Sequence, residues 1–154
     1  MNERNALVAN AVAAAGIEPA ITILDADAKT AAAAAGHLGC EIGAIANSLV
    51  FECDGAPLLV MASGAARVNT DVLAQQLGAT KITKADPSLV RRATGQIIGG
   101  VAPVGHPEPL RTVVDPHLAA YPVIWTAAGT ADSVMPLTYH QLLALTGGLA
   151  LPVR

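Results

Sequence analysis

The residues Gly99-Gly100-Val101-Ala102-Pro103-Val104-Gly105-His106-Pro107-Glu108-Pro109 form the most unusual stretch of the chain. Glycines bare the backbone and prolines stiffen it, so a loop of this composition can hold N–H groups toward a carbonyl oxygen or an anion. It lacks the Lys-Ser/Thr ending of a phosphate-binding P-loop and the Gly-x-Gly-x-x-Gly spacing of a dinucleotide site. On composition alone, a stiff surface connection without a ligand explains it equally well. His106 sits in this loop, where an imidazole beside backbone donors could orient water or act as a base. His37, His117 and His140 are scattered, and Cys40 three residues after His37 makes no ligand set, so metal chemistry is disfavoured and no cofactor is expected. Ser63 precedes Gly64 without a Gly-x-Ser-x-Gly elbow, and Ser48 falls inside an expected strand with no assignable base, so a hydroxyl nucleophile is not supported. Asp25, Asp27, Asp71 and Asp86 read as helix caps or first-turn acids rather than as a catalytic carboxylate pair.

The elements that must position these residues follow from periodicity and punctuation. Ala-rich Arg4 to Ala15 closed by Gly16 predicts a first helix, and Ala20 to Leu24 a short strand. Asp25 or Asp27 is the expected cap of a second Ala-rich helix through Ala35, ending at Gly36. The clearest signal is a hairpin: Ile45 to Cys53, the turn Asp54-Gly55, and Leu58 to Met61. Asn69 or Thr70 caps a helix over Asp71 to Leu77 stopped by Gly78, Thr80 to Thr83 gives a strand, and Asp86-Pro87 opens a helix over Ser88 to Thr94 closed by Gly95. A short apolar run, Gln96 to Ile98, precedes the Gly/Pro loop. Strands are expected near Thr112 to Val114, Val123 to Ala127 and Val134 to Leu137. The capping box Thr138-x-x-Gln141 starts a last helix ending at Gly147. Interleaved helices and strands with one hairpin and links too short for crossovers predict an α+β fold with a mixed sheet. No repeat or linker divides residues 1–154, which read as a single domain.

Composition narrows the classes. A chain of 154 residues with 53% hydrophobic and 14% charged side chains folds as a domain with its own core. Aromatic residues are 3%, which leaves few platforms for stacking nucleic-acid bases. The net charge of −3 gives no long-range attraction for a phosphate backbone, so any nucleic-acid contact must be local. Lys81, Lys84, Arg91 and Arg92 are the local candidates, with a solvated helix face as the plainer explanation. Cys40 and Cys53 make neither a disulfide framework nor a zinc knuckle, as befits a reducing compartment. The segment Ala6 to Gly16 is interrupted by Asn10 and is not read as a secretion signal, and no run of 18 apolar residues predicts a membrane helix. A cytoplasmic location with no membrane partner is expected.

Three motifs, in order along the chain, resemble the YbaK/prolyl-tRNA-synthetase-associated editing family. Thr30 to Ala35 with Gly39-Cys40, followed by Ile45-Ala46-Asn47-Ser48-Leu49-Val50-Phe51, resembles its helix and first hairpin strand. Gly99 to His106 resembles its glycine-glycine-x-x-proline loop, and Ala127-Ala128-Gly129 with Leu142 to Gly147 resembles its C-terminal end. The resemblance covers about residues 25 to 148. It implies a mixed, barrel-like sheet wrapped by helices and hydrolysis of the ester of a mischarged aminoacyl-tRNA, with a small noncognate residue on proline tRNA as substrate. It also implies roles for individual residues. Asn47, Gly100 and His106 would be catalytic, and Ser48, Val101, Ala102, Pro103, Gly105 and Gly129 would bind substrate. Lys81, Lys84, Arg91 and Arg92 would meet the tRNA acceptor end, and an aminoacyl-tRNA synthetase is a possible partner.

The chain departs from the family pattern at Asn47, where many members carry a functionally central lysine. Asn47 keeps hydrogen-bonding capacity but brings no charge. A charge-assisted hydrogen bond contributes roughly 1.5–3 kcal/mol against about 1 for a neutral one, so the exchange costs on the order of tenfold. Two functions follow as expectations: a deacylase adapted to asparagine, with Lys81 or Lys84 as a substitute cation, or a binding module of the same fold that docks tRNA, a synthetase or a small ligand.

Overall fold

Ile45–Cys53 (β2) and Ala56–Ser63 (β3) form an antiparallel hairpin around Asp54-Gly55, whose φ angles of 49° and 88° suit a tight primed turn. The computed structural model describes residues 2–25 and 30–154. The Asp54 carboxylate accepts hydrogen bonds from the backbone N–H groups of Thr80 and Lys81 at 3.0 and 2.8 Å, which hold its pKa below the usual carboxylate value. Those bonds tie the turn to Ile82–Lys84 (β4), an antiparallel partner of the far end of β2. On its other flank β3 runs parallel to Arg111–Val114 (β5), and β5 to Leu149–Ala150 (β8). The near end of β2 runs parallel to Ile124–Ala127 (β6), which pairs antiparallel with Ser133–Leu137 (β7), and β7 with Thr22–Ile23 (β1). The sheet is therefore mixed, as expected, in the order β1-β7-β6-β2-β3-β5-β8 with β4 beside β2.

Five helices of the described residues pack around it: Glu3–Ala14 (α1), Ala31–Leu38 (α2), Thr70–Leu77 (α3), Pro87–Thr94 (α4) and Tyr139–Thr146 (α5). Strand alternation sorts the core. Ala46 and Val50 of β2, with Leu59 and Met61 of β3, join one buried cluster with Val8, Val12 and Leu142. Phe51, Cys53, Leu58, Val60 and Ala62 join a second with Leu73 of α3. Because β3 is buried on both faces, it reads as one apolar run. Ala34 and Ala35 of α2 pack on Ile45 and Trp125 in a third cluster, where small side chains let the helix lie close to the sheet.

Several local expectations hold: of Asn69 and Thr70 it is Asn69 that caps α3, Asp86 caps α4 with Pro87 in its first turn, Thr138 and Gln141 form a capping box, and Gly78, Gly95 and Gly147 end their helices with positive φ. Others need correction. Thr30, not Asp25, caps α2 by accepting from Ala33 N–H, and Asp27 lies outside the described residues. Helix α2 runs through Gly36 to the left-handed Gly39, since an interior glycine costs only about 1 kcal/mol and the packed Ala34 and Ala35 hold the turn. Gln96 to Ile98 is a turn after α4 rather than a strand. The short β8 and a 3₁₀ turn over Pro116–Ala120 carry no strong sequence signal. No helix of the described residues is long and apolar enough to cross a membrane.

Candidate active site

One edge of β2 is continuously covered by β3, but its other edge is shared between two strands. Residues 45 and 46 pair with β6 and residues 51 to 53 with β4. The edge at Asn47, Ser48 and Leu49 therefore faces a break in the sheet. Burial changes at the same place: Asn47 and Ser48 are half-buried and Leu49 is exposed, within a strand otherwise largely buried. The break opens into a cavity of about 360 Å³. Asn47 and Ser48 supply one wall, Gly99 and Val101 of the Gly/Pro loop another, Trp125 and Thr126 of β6 a third, and Ala31 and Ala34 of α2 a fourth. A second cavity of about 260 Å³ shares Ser48, Leu49, Ile98 and Val101 with the first and extends toward Lys84.

The loop is held by a residue that periodicity gave no reason to single out. Gln96 is 2% exposed; its side-chain oxygen accepts from Ala102 N–H at 2.9 Å and its Nε2 donates to the Val104 carbonyl at 3.4 Å. Gly100 N–H donates to the Ile97 carbonyl at 3.0 Å. A side chain at Gly100 has no room, because its Cβ would lie 2.7 to 2.9 Å from backbone atoms of Thr130 and Ala131. With the Gly100 and Ala102 N–H groups spent inside the loop, those of Gly99 and Val101 remain without an acceptor among the described residues, and both residues line the cavity.

Asn47, Ser48 and Val101 are thus brought together as expected, but His106 is not. Its Nε2 donates to the Ala102 carbonyl at 2.8 Å, and it lines separate cavities of about 220 and 340 Å³ near α1. Burial pushes its pKa below the ordinary imidazole value, against the opposing pull of the Ala102 hydrogen bond, so it stays neutral at neutral pH. His106 therefore lies apart from the cavity that Asn47, Ser48 and Val101 line, and its hydrogen bond to Ala102 braces the loop. Pro103 and Gly105 line the same separate region. Gly105, Gly129 and Gly100 serve close packing: a Cβ at Gly105 would press on Val8, and one at Gly129 on the Arg4 carbonyl. Ala102 is buried and bonded within the loop rather than part of the cavity wall. Of the expected cations, Lys84 reaches the second cavity, whereas Lys81, Arg91 and Arg92 are exposed elsewhere.

None of the described residues lining the first cavity is ionisable. The polar side chains among its described lining residues are neutral: Thr30, Asn47, Ser48, Ser133 and Thr126, the last with its hydroxyl oxygen buried. Among the described residues Ser48 Oγ has only the Met61 sulfur at 3.2 Å, a weak acceptor that cannot activate it as a nucleophile. Ser63 is fully buried and donates to the Gly43 carbonyl at 2.7 Å, a structural bond. The Cys40 thiol, raised in pKa by burial, stays protonated and lies outside this cavity. No group of three or more His, Cys, Asp or Glu among the described residues is placed to hold a metal ion. Such a site suits a neutral, polarisable substrate whose oxygen gains charge during reaction.

The aminoacyl-tRNA editing domain family matches residues 25–145. The uncharacterized protein YwhH of Bacillus subtilis is 29% identical over 123 residues, covering 79% of this chain and 78% of that protein. The proline–tRNA ligase of Desulforamulus reducens is 33% identical over 118 residues, 73% of this chain but only 21% of the ligase, so the match spans about a fifth of that larger enzyme. The crystal structure of a proposed trans-editing enzyme for prolyl-tRNA synthetase superposes with a TM-score of 0.94 and 34% identity, covering 100% of this chain and 98% of the other. By the span of these matches and the shared fold, the chain belongs to the aminoacyl-tRNA editing domain family.

Proposed function

We propose that this editing domain acts in trans in the cytoplasm, hydrolysing the ester between a small noncognate amino acid and the 3′ end of proline tRNA. The observation that carries the proposal is a cavity with no ionisable side chain among its described lining residues, where Gly99 and Val101, whose N–H groups have no acceptor among the described residues, share the wall with Asn47. Water attacks the ester carbonyl carbon, and the carbonyl electron pair moves onto oxygen, where the Gly99 and Val101 N–H groups receive it. The tetrahedral centre collapses by expelling the ribose oxygen, which takes the proton that water gives up, directly or through the neighbouring ribose hydroxyl. Free amino acid and uncharged tRNA leave. Catalysis by positioned donors and oriented water needs no side-chain nucleophile. The Asn47 amide orients the ester, and the exposed cations Lys81, Lys84, Arg91 and Arg92 meet the acceptor end.

A second reading is favoured by the same neutral wall: with Asn47 at the family's lysine position, the domain would bind charged tRNA, alone or on a synthetase, without turning it over. Proline tRNA carrying alanine, cysteine, serine or 2-aminobutyrate separates the two. The deacylase predicts release of at least one amino acid over many turnovers and loss of that activity in Asn47→Ala. A wild type that is inert while Asn47→Lys gains activity would establish the binding module.

A further inference from the structure

Resting on the deacylase reading, we infer that Asn5, on α1, is a positioning residue for the reaction: through the turn between β6 and β7 it sets where the Gly99 and Val101 N–H groups stand. Asn5 lines neither cavity at the break in β2. It is a polar side chain only 1% exposed, so each donor it carries needs a partner inside the protein. Its Nδ2 donates to the Ala128 carbonyl at 2.8 Å and to Ser133 Oγ at 3.0 Å, committing both hydrogens to one turn 123 and 128 residues away in the chain. Its Oδ1 accepts from Asn2 N–H at 3.2 Å. The chemistry fixes this orientation of the amide, because the Ala128 carbonyl can only accept and the Asn2 N–H can only donate.

The turn that Asn5 grips is shaped by its own bonds. Ser133 Oγ also accepts from Thr130 N–H at 3.2 Å, and Ser133 N–H donates to the Thr130 carbonyl at 3.2 Å. A turn held this way moves as a unit, so what fixes Ser133 and Ala128 fixes Thr130 and Ala131. Two contacts carry that constraint to the site. Ala131 and Ser133 line the first cavity themselves. Backbone atoms of Thr130 and Ala131 also stand 2.7 to 2.9 Å from where a Cβ on Gly100 would be, so the turn lies directly against the residue between Gly99 and Val101. Interiors packed this closely transmit displacement rather than absorb it. The loop thus takes its place from two buried amide side chains: Gln96, bonded to Ala102 within it, and Asn5, acting through the turn. Since Gly99 and Val101 donate to charge that develops in the transition state, a shift of the turn lowers kcat more than it weakens substrate binding.

The test compares Asn5→Leu with Val12→Ala, which trims a buried side chain on the same helix that makes no bond to the turn. Asn5→Asp is the second variant, keeping the size of the side chain and the acceptor for Asn2 but bringing no N–H donor. Deacylation of mischarged proline tRNA is measured below the thermal transition of every variant, beside amide nitrogen–proton NMR spectra. Asn5→Leu and Asn5→Asp are expected to lower kcat by at least about tenfold while KM stays within about threefold of wild type. Val12→Ala should lower the thermal midpoint yet leave kcat near the wild-type value. The amide signals of Gly99, Gly100 and Val101 should move in the Asn5 variants and stay in place in Val12→Ala. Because Ser133 passes the constraint on, Asn5→Leu combined with Ser133→Ala should cost less than the product of the two separate losses; losses that multiply would overturn the route through the turn. Wild-type kcat in the Asn5 variants, or an equal loss in Val12→Ala, overturns the assignment and leaves the deacylase standing. A wild type that hydrolyses no charged tRNA rejects the deacylase instead, and the amide signals then decide alone: moved loop signals in the Asn5 variants only keep Asn5 as the residue that places the loop, and unmoved signals overturn it.

Discussion

Replacing Gln96 by leucine should cost both stability and catalysis, although Gln96 is not among the residues lining the substrate cavity. The substitution keeps a buried side chain of similar size but removes the oxygen that accepts from Ala102 N–H at 2.9 Å. A buried N–H left unpaired costs about 1–3 kcal/mol. The longer bond to Val104, at 3.4 Å, adds little. For a chain of this size, a loss near 2 kcal/mol lowers the thermal midpoint by about 4–8 °C. The freed Ala102 segment then shifts the neighbouring Val101 N–H, and a displacement on the order of 1 Å at a positioned donor costs up to about a hundredfold in rate. Scanning calorimetry and multiple-turnover deacylation measure the two effects. Gln96→Glu supplies an oxygen to Ala102 N–H but no donor to Val104, so it should retain more activity than Gln96→Leu. A Gln96→Leu protein that melts within 2 °C of wild type, roughly what about 0.5–1 kcal/mol produces, and deacylates at the wild-type rate would refute the account of how the loop is held.

Further outcomes follow from single observations. Gly100→Ala drives its Cβ into Thr130 and Ala131 backbone that cannot rotate away; overpacking of this kind costs about 1–3 kcal/mol, and the matching drop in thermal midpoint should come with loss of deacylation. Thr126 Oγ1 is buried with no hydrogen-bond partner among the described residues, so Thr126→Val should leave stability unchanged or raise it by up to about 1 kcal/mol in urea unfolding. The His106 pKa is lowered in the folded state, so on acidification the unfolded chain takes up the proton first. The stability tied to this group is complete above pH ~6.5 and is lost as pH falls from there toward the lower folded value. Melts between pH 7 and 5 should show a shallower decline in His106→Gln; Asp54, whose carboxylate titrates below its ordinary value, acts only at more acidic pH.

The parts of the fold governed by local rules were legible in the sequence. The Asp54-Gly55 hairpin, the Asn69, Asp86 and Thr138 caps and the glycine stops each depend on a few adjacent residues, and each is where periodicity and turn chemistry put it. The second helix was displaced because an Ala-rich run carries no marker of where it begins, and Gly36 is a stop only when packing does not override it. The site was legible in part. Glycine and proline marked the loop, and the motif order singled out Asn47, Ser48 and Val101, which do meet at one cavity. What joins them is not local: the gap on the edge of β2 arises from two strands about 30 and 80 residues away pairing with its opposite ends. His106 looked chemical because of its loop, yet it lines a cavity beside α1 and its Nε2 bonds to the Ala102 carbonyl. Gln96 carried a faint signal, one amide beside an apolar Ile-Ile pair, and its role appears only when the loop folds back over it.

The most direct test is multiple-turnover hydrolysis by wild type and Asn47→Ala of proline tRNA charged with alanine, cysteine, serine or 2-aminobutyrate, beside correctly charged prolyl-tRNA. The account predicts that wild type releases at least one small noncognate residue through many turnovers, spares proline, and loses the activity in Asn47→Ala. Stoichiometric binding of the charged tRNAs with no ester turned over would contradict it.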